Sequence, residues 1–131
     1  MKKVLFSIFI ALAAMTAGAQ TSTQCENPVI WADVPDPDVI RVGGDYYMVS
    51  TTMNLCPGAP IMKSTDLGHW EIVNYVYDTF ADDDVTNLEN GRDMYAHGSW
   101  AASLKYNEAD GLYYVAFNSN DHGFFIYTTD D

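Results

Sequence analysis

From Gln20 onward the chain alternates short runs of β-branched and aromatic residues with clusters of Gly, Asn, Asp and Ser. The three-to-four-residue spacing of an amphipathic helix is almost absent, and runs of this length bounded by turn residues read as strands. Val39–Val42 and Tyr46–Thr52 flank Gly43-Gly44-Asp45, a hairpin signal. Ile61–Ser64 and Trp70–Asn74 flank Thr65-Asp66-Leu67-Gly68-His69. After an irregular stretch from Asp78 to Asp93, Ala101–Tyr106 and Leu112–Asn118 flank Asn107-Glu108-Ala109-Asp110-Gly111, and Phe124–Thr129 closes the series. The pattern predicts an all-β chain.

The strand units repeat. Tyr46-Tyr47-Met48-Val49 corresponds to Tyr113-Tyr114-Val115-Ala116, each after a Gly-containing turn, and Ser64-Thr65-Asp66 corresponds to Thr128-Thr129-Asp130. A self-similar all-β unit with a period of about 65 residues points to propeller blades of about four strands each. A β-sandwich has strands at similar density but does not explain why strand order and turn chemistry recur together. Fewer than two blades cannot close a ring, and repeat architectures need several neighbours to bury a continuous core. The expectation is therefore the first one to two blades of a larger propeller, an N-terminal piece with open sheet edges.

The ends and the charge balance narrow the partners. Met1–Ala19 carries Lys2 and Lys3, an apolar run over Val4–Ala14 and the small-residue pattern Ala17-Gly18-Ala19, which together read as a cleavable signal peptide. The apolar run is about half of a bilayer crossing. A mature chain over residues 20–131, secreted or periplasmic and not inserted in a membrane, is expected; Ser22-Thr23-Gln24 before Cys25 is no lipid-attachment context. The formal net charge is −12, and past the signal only Arg41, Lys63, Arg92 and Lys105 are basic. Nucleic acid and anionic membranes need basic patches and are excluded as partners, whereas a neutral sugar suits such a surface. Cys25 and Cys56 either pair or remain separate thiols. No Cys/His set has zinc-site spacing, and Asp82-Asp83-Asp84 reads as a solvated loop because it lacks the spaced pattern of a calcium loop. No metal or cofactor is assigned from this chain, although a calcium ion in a complete propeller stays open.

Pro35-Asp36-Pro37 places one carboxylate between two prolines just ahead of the first strand. The prolines fix φ at their own positions and bias Pro35 and Asp36 toward extended conformations. A rigidly aimed carboxylate suits a general base, which needs position before pKa; the same residues also make an ordinary Pro-rich turn ahead of an edge strand.

The run Asn27-Pro28-Val29-Ile30, then Pro35-Asp36-Pro37-Asp38 through Tyr46-Tyr47, resembles the opening of glycoside hydrolase family 43. So does Pro57-Gly58-Ala59-Pro60-Ile61-Met62-Lys63-Ser64-Thr65-Asp66-Leu67-Gly68-His69-Trp70, and these runs look most like the β-xylosidase and α-L-arabinofuranosidase branches. The resemblance implies a five-bladed propeller with a central active site and inverting hydrolysis of glycosidic bonds. It makes Asp36 the general base, with a second Asp tuning the general acid and a Glu serving as that acid. The base and acid of such a pair stand about 6.5–9.5 Å apart to leave room for water. Asp38 falls where other members often carry Ser and is expected to be a strand-start residue; Asp33, without a following proline, ranks behind Asp36.

The chain departs from the family's Gly-x-Trp-Ala-Pro-Asp pattern at His97-Gly98-Ser99-Trp100-Ala101-Ala102-Ser103, where Ser103 stands in place of the Asp. A serine carries no charge to shift a neighbour's pKa, and Asp93 and Asp121 are the nearby carboxylates. Trp100 either stacks on the apolar face of a sugar or fills blade core. His97 either bonds a sugar hydroxyl or is structural, and its place beside the Trp motif favours the former. Cys56 sits where xylosidase-like members show an aromatic. Glu26, Glu71, Glu89 and Glu108 all lie in turns or strand ends, so the acid is expected outside this segment, which alone should be inactive. The expected function is hydrolysis of arabinose- or xylose-containing plant polysaccharides; a non-catalytic carbohydrate-binding propeller is the alternative.

Overall fold

Seven strands form in the order that the turn residues prescribe, and no helix occurs among the described residues, 26–131, of this computed structural model. They are β1 (Asp38–Val42), β2 (Asp45–Val49), β3 (Gly58–Ser64), β4 (Glu71–Tyr77), β5 (Ser103–Asn107), β6 (Leu112–Ser119) and β7 (Gly123–Thr129). The expected signal peptide and Cys25 lie outside the described residues. β1 to β4 make one antiparallel meander and β5 to β7 a second, each in sequence order. This is the blade arrangement that the repeat predicts, one blade with four strands and one with three.

Local chemistry accounts for the turns. Val42 pairs with Asp45 across a two-residue loop, and Gly43 at φ +62° takes the left-handed position that primed hairpin turns require. Between β3 and β4, Ser64 Oγ accepts the Asp66 and Leu67 amides at 3.1 and 2.8 Å, while Asp66 Oδ1 accepts those of Gly68 and His69 at 2.9 Å each. The donors hold the Asp66 carboxyl far below the usual range, the His69 ring foremost.

The repeat holds, with its second half shifted by one residue from the sequence expectation. Tyr46 pairs with Ser64, and its counterpart Tyr113 pairs with Thr129 instead of Thr128. Side chains follow the same register: Ser64 Oγ donates to Asp66 Oδ1 at 3.2 Å, and Thr129 Oγ1 donates to Asp131 Oδ1 at 3.2 Å. Asp66 therefore corresponds to Asp131, not Asp130. The shift arises because β2 ends early and connects through 50–57, whereas β6 runs to Ser119 and turns over 120–122.

The two sheets share one core. Val49, Ala59 and Tyr77 of the first and Leu104, Val115 and Phe117 of the second pack in a single buried cluster with Phe80, Met94 and Ala102. Phe117 stacks on Tyr127 with centroids 5.8 Å apart, and Tyr77 meets Phe80 edge-on at 5.2 Å. Burying a side chain of this size stabilises by roughly 1.5–3 kcal/mol. Along β7 the faces alternate: Phe125 and Tyr127 turn to the core while Phe124 and Ile126 stay exposed.

Ser99 splices the sheets where they meet. It makes antiparallel bridges to both Met53 and Ser119, and its Oγ accepts the Tyr77 hydroxyl at 2.8 Å. Gly98 beside it sits at φ +99°, and a Cβ there would lie 1.9 Å from the Met53 carbonyl oxygen. Only glycine allows this approach.

Candidate functional site

The loops that precede β1 and β5 lie at the same end of the two blades as the ends of β2 and β6, because each hairpin is antiparallel. Asp36 stands two residues before β1 and Trp100 three before β5. The segment 50–53 ties the two loops together: Thr51 reaches Asp36, and the Met53 carbonyl accepts the Ser99 amide at 3.0 Å.

Asp36 departs from the extended backbone that its prolines favour. Its φ is +48°, in the left-handed region, an arrangement that costs on the order of 1–3 kcal/mol and persists only where surroundings over-determine it. Three bonds do so here. The Thr51 amide and the Ser50 hydroxyl donate to the Pro35 carbonyl at 3.1 and 2.9 Å, and Thr51 Oγ1 donates to Asp36 Oδ2 at 3.2 Å. Ser50 and Thr51 are buried, whereas Asp36 is exposed. A solvent-facing carboxylate is thus held by one buried donor, and the carbonyl before it by two more. This also explains why β2 stops at Val49 instead of running to Thr52: the hydroxyl residues leave the ladder to bind the loop before β1. The Ser-Thr-Thr run was the available sequence signal for these partners. Asp33 is exposed and takes no part in the arrangement.

Asp38 begins β1, as expected, and also joins the blades. Its Oδ2 accepts the Leu104 amide at 2.8 Å, the Ser103 hydroxyl at 3.3 Å and Lys105 Nζ at 3.3 Å. Burial pushes this carboxyl up, but the Leu104 amide, Lys105 and Ser103 outweigh it and hold the pKa below the ordinary value. A carboxylate therefore does stand at the Ser103 hydroxyl, contributed by β1.

His97 and Trp100 differ in their surroundings. The His97 Nδ1 pairs with the Asp121 carboxylate, and close by His122 Nε2 bonds Asp83 Oδ2 at 2.9 Å. These four side chains line an open depression with Arg92 and Asp93. Neither Asp93 nor Asp121 bonds Asp36: Asp93 Oδ1 accepts the Tyr95 amide and Asp121 meets His97. The triple-Asp run is used internally, with Asp82 accepting from Asn87, Asp83 from Thr86 and Asp84 from Asn90. Trp100 is half-buried; its amide donates to the Asn118 carbonyl at 3.0 Å, while the ring Nε1–H finds no acceptor among the described residues. Cys56 is exposed.

Known proteins share the sequence and fold of this chain. A beta-xylosidase of Formosa agariphila is 35% identical over 107 residues, which cover 80% of this chain and 17% of that protein. A non-reducing-end alpha-L-arabinofuranosidase of Bacteroides ovatus is 34% identical, over 68% of this chain and 16% of that protein. Among solved structures, a bifunctional GH43-CE protein of Bacteroides eggerthii superposes with TM-score 0.77 at 49% identity, over 82% of this chain and 14% of that one. An engineered GH43 glycoside hydrolase with endo-xylanase and exo-arabinofuranosidase activity superposes with TM-score 0.72 at 32% identity, over 82% of this chain and 21% of that one. The chain thus spans about a sixth of the length of the curated relatives it matches, and its two sheets are blades of the same propeller fold. The model of Glycosyl hydrolases family 43 matches residues 25–131, and the chain belongs to that family.

Proposed function

We propose that this chain is the N-terminal part of a longer exported glycoside hydrolase acting on xylose- or arabinose-containing polysaccharides or oligosaccharides, with Asp36 as the general base. The relatives' names, beta-xylosidase and alpha-L-arabinofuranosidase, support the sugar class. The observation that carries the role is the exposed Asp36 carboxylate held by the buried Thr51 hydroxyl, with Ser50 and the Thr51 amide fixing the Pro35 carbonyl before it, at the loop end shared with Trp100.

In the proposed reaction Asp36 takes a proton from a water whose oxygen attacks the anomeric carbon. The bond to the leaving oxygen breaks on the opposite face, and that oxygen takes a proton from a glutamic acid contributed by a later blade. The configuration inverts, and the two carboxyl groups stand about 6.5–9.5 Å apart. Trp100 offers a ring for the apolar face of the sugar, while its Nε1–H is buried without an acceptor among the described residues. His97, which lies against Asp121, is the residue proposed to bond a sugar hydroxyl. Residues 1–19 direct export and are removed. By itself this segment supplies one half of the carboxylate pair and is inactive.

The test is the anomer first released. The full-length polypeptide, given aryl β-xyloside and aryl α-L-arabinofuranoside and followed by proton NMR, should release the inverted anomer from one of them. Release of the retained anomer, or sugar binding without turnover, contradicts the proposal; the latter outcome is the carbohydrate-binding alternative.

A further inference from the structure

We infer that Thr51 is the positioning residue of Asp36, an inference that rests on the reading of Asp36 as the base. An ionised carboxylate only accepts hydrogen bonds, so at 3.2 Å the Thr51 hydroxyl donates to Asp36 Oδ2. The other oxygen, Oδ1, has no partner among the described residues and is the one left to take a proton from water. One oxygen tied and one free is the arrangement a general base needs.

The donor is itself immobilised. Thr51 is 3% exposed, and its amide holds the Pro35 carbonyl at 3.1 Å, so one residue grips both the backbone before Asp36 and the carboxylate. On one side Ser50 Oγ reinforces the grip on Pro35 at 2.9 Å. On the other, Thr52 Oγ1 accepts the Ala59 amide at 3.0 Å, and the Met53 carbonyl accepts the Ser99 amide at 3.0 Å. Turning the Asp36 carboxylate away therefore requires breaking a bond to a segment anchored on β3 and on the second blade. The branched Thr51 side chain is restricted at χ1, which fixes the hydroxyl direction further. The left-handed Asp36 backbone at φ +48° is part of the same device.

The experiment compares wild type, Thr51→Val, Thr51→Ser and Asp36→Asn in the full-length polypeptide. The readouts are kcat and KM on the cleaved aryl glycoside, thermal midpoints and sugar binding by calorimetry. Thr51→Val keeps the shape and the amide but removes the donor; kcat should fall about 10- to 100-fold, the scale of a misplaced catalytic group, with KM and sugar affinity within about twofold of wild type. Thr51→Ser restores the donor and should recover most of kcat. If Thr51→Ser loses as much as Thr51→Val, or if both keep wild-type kcat while Asp36→Asn is inactive, the positioning role is overturned and the base assignment stands. If Asp36→Asn itself turns over normally, the base assignment falls and the positioning role falls with it.

Discussion

The carboxylate of Asp38, at the start of β1, accepts the backbone amide of Leu104 in β5 at 2.8 Å. This bond crosses from one blade to the next beside the candidate base, and Leu104 is only 2% exposed. Asp38→Ala leaves that amide without its acceptor, at a cost of about 1–3 kcal/mol. Asp38→Asn keeps an acceptor and should recover most of the loss, since the exposed Lys105 end of the pair contributes little. Thermal melting and hydrogen exchange at the Leu104 amide measure both. Unchanged melting and full protection in Asp38→Ala would show that the bond does not hold the blades together.

Gly98 and Gly44 make a matched pair. An alanine at Gly98 needs φ +99° and places its Cβ 1.9 Å from the Met53 carbonyl oxygen, which is backbone and cannot step aside. Gly98→Ala should destabilise by on the order of 2–4 kcal/mol, combining strain with a displaced bridge. At Gly44 nothing lies within 4 Å, and Gly44→Ala should stay within about 0.5 kcal/mol of wild type. Equal melting temperatures for the two variants would contradict the close approach of the blades at Ser99.

Tyr77 ties the outer strand of the first sheet to the splice residue, its hydroxyl donating to the buried Ser99. Burial pushes its pKa up, so it remains a donor at neutral pH. Tyr77→Phe keeps the ring contacts with Phe80 and Phe117 and removes one bond, worth about 0.5–1.5 kcal/mol. Chemical denaturation of the two proteins resolves a difference of that size, and a loss well outside that range would mean that the ring packing changes as well.

Acid should unfold the structure in a defined direction. The His69 ring and the loop amides hold Asp66 below the usual carboxylate range, and His122 with Thr86 does the same for Asp83. The unfolded chain, with carboxyls near pKa ~3.9, takes up those protons first, so stability rises with pH through this range. The contributions are complete above about pH 5 and are lost as pH falls below about 4 toward the lowered folded values. Asp66→Asn and Asp83→Asn should each flatten the fall in stability between pH 5 and pH 2, as followed by circular dichroism. A slope identical to wild type in both variants contradicts these assignments.

The strands were legible because their signals are local: alternation within each run, and Gly, Asn or Asp between runs. What escaped is non-local. Ser50-Thr51-Thr52 has strand propensity, yet it leaves β2 because acceptors fifteen residues earlier, at Pro35 and Asp36, capture its hydroxyls. Asp36 takes a left-handed backbone against the preference of a residue before proline for the same reason. β4 runs on to Tyr77, past the expected Asn74, because Pro60 and Gly58 supply ladder partners for Tyr75 and Tyr77; Gly58 has no side chain in the path of the Tyr77 ring. At the candidate site the Pro-Asp-Pro run singled out Asp36 and the family resemblance singled out Trp100, while the segment 50–53 that ties their loops together required the fold. That Asp38 bridges to Ser103 across two blades was equally out of reach of a linear reading.

The central claim is that Asp36 activates water. The direct measurement is turnover and sugar binding by Asp36→Asn in the full-length polypeptide, side by side with wild type. The account predicts that kcat falls by at least about 10²-fold, the lower range of general-base contributions, while sugar affinity and the melting temperature stay close to wild type. Turnover at the wild-type rate by Asp36→Asn would contradict it.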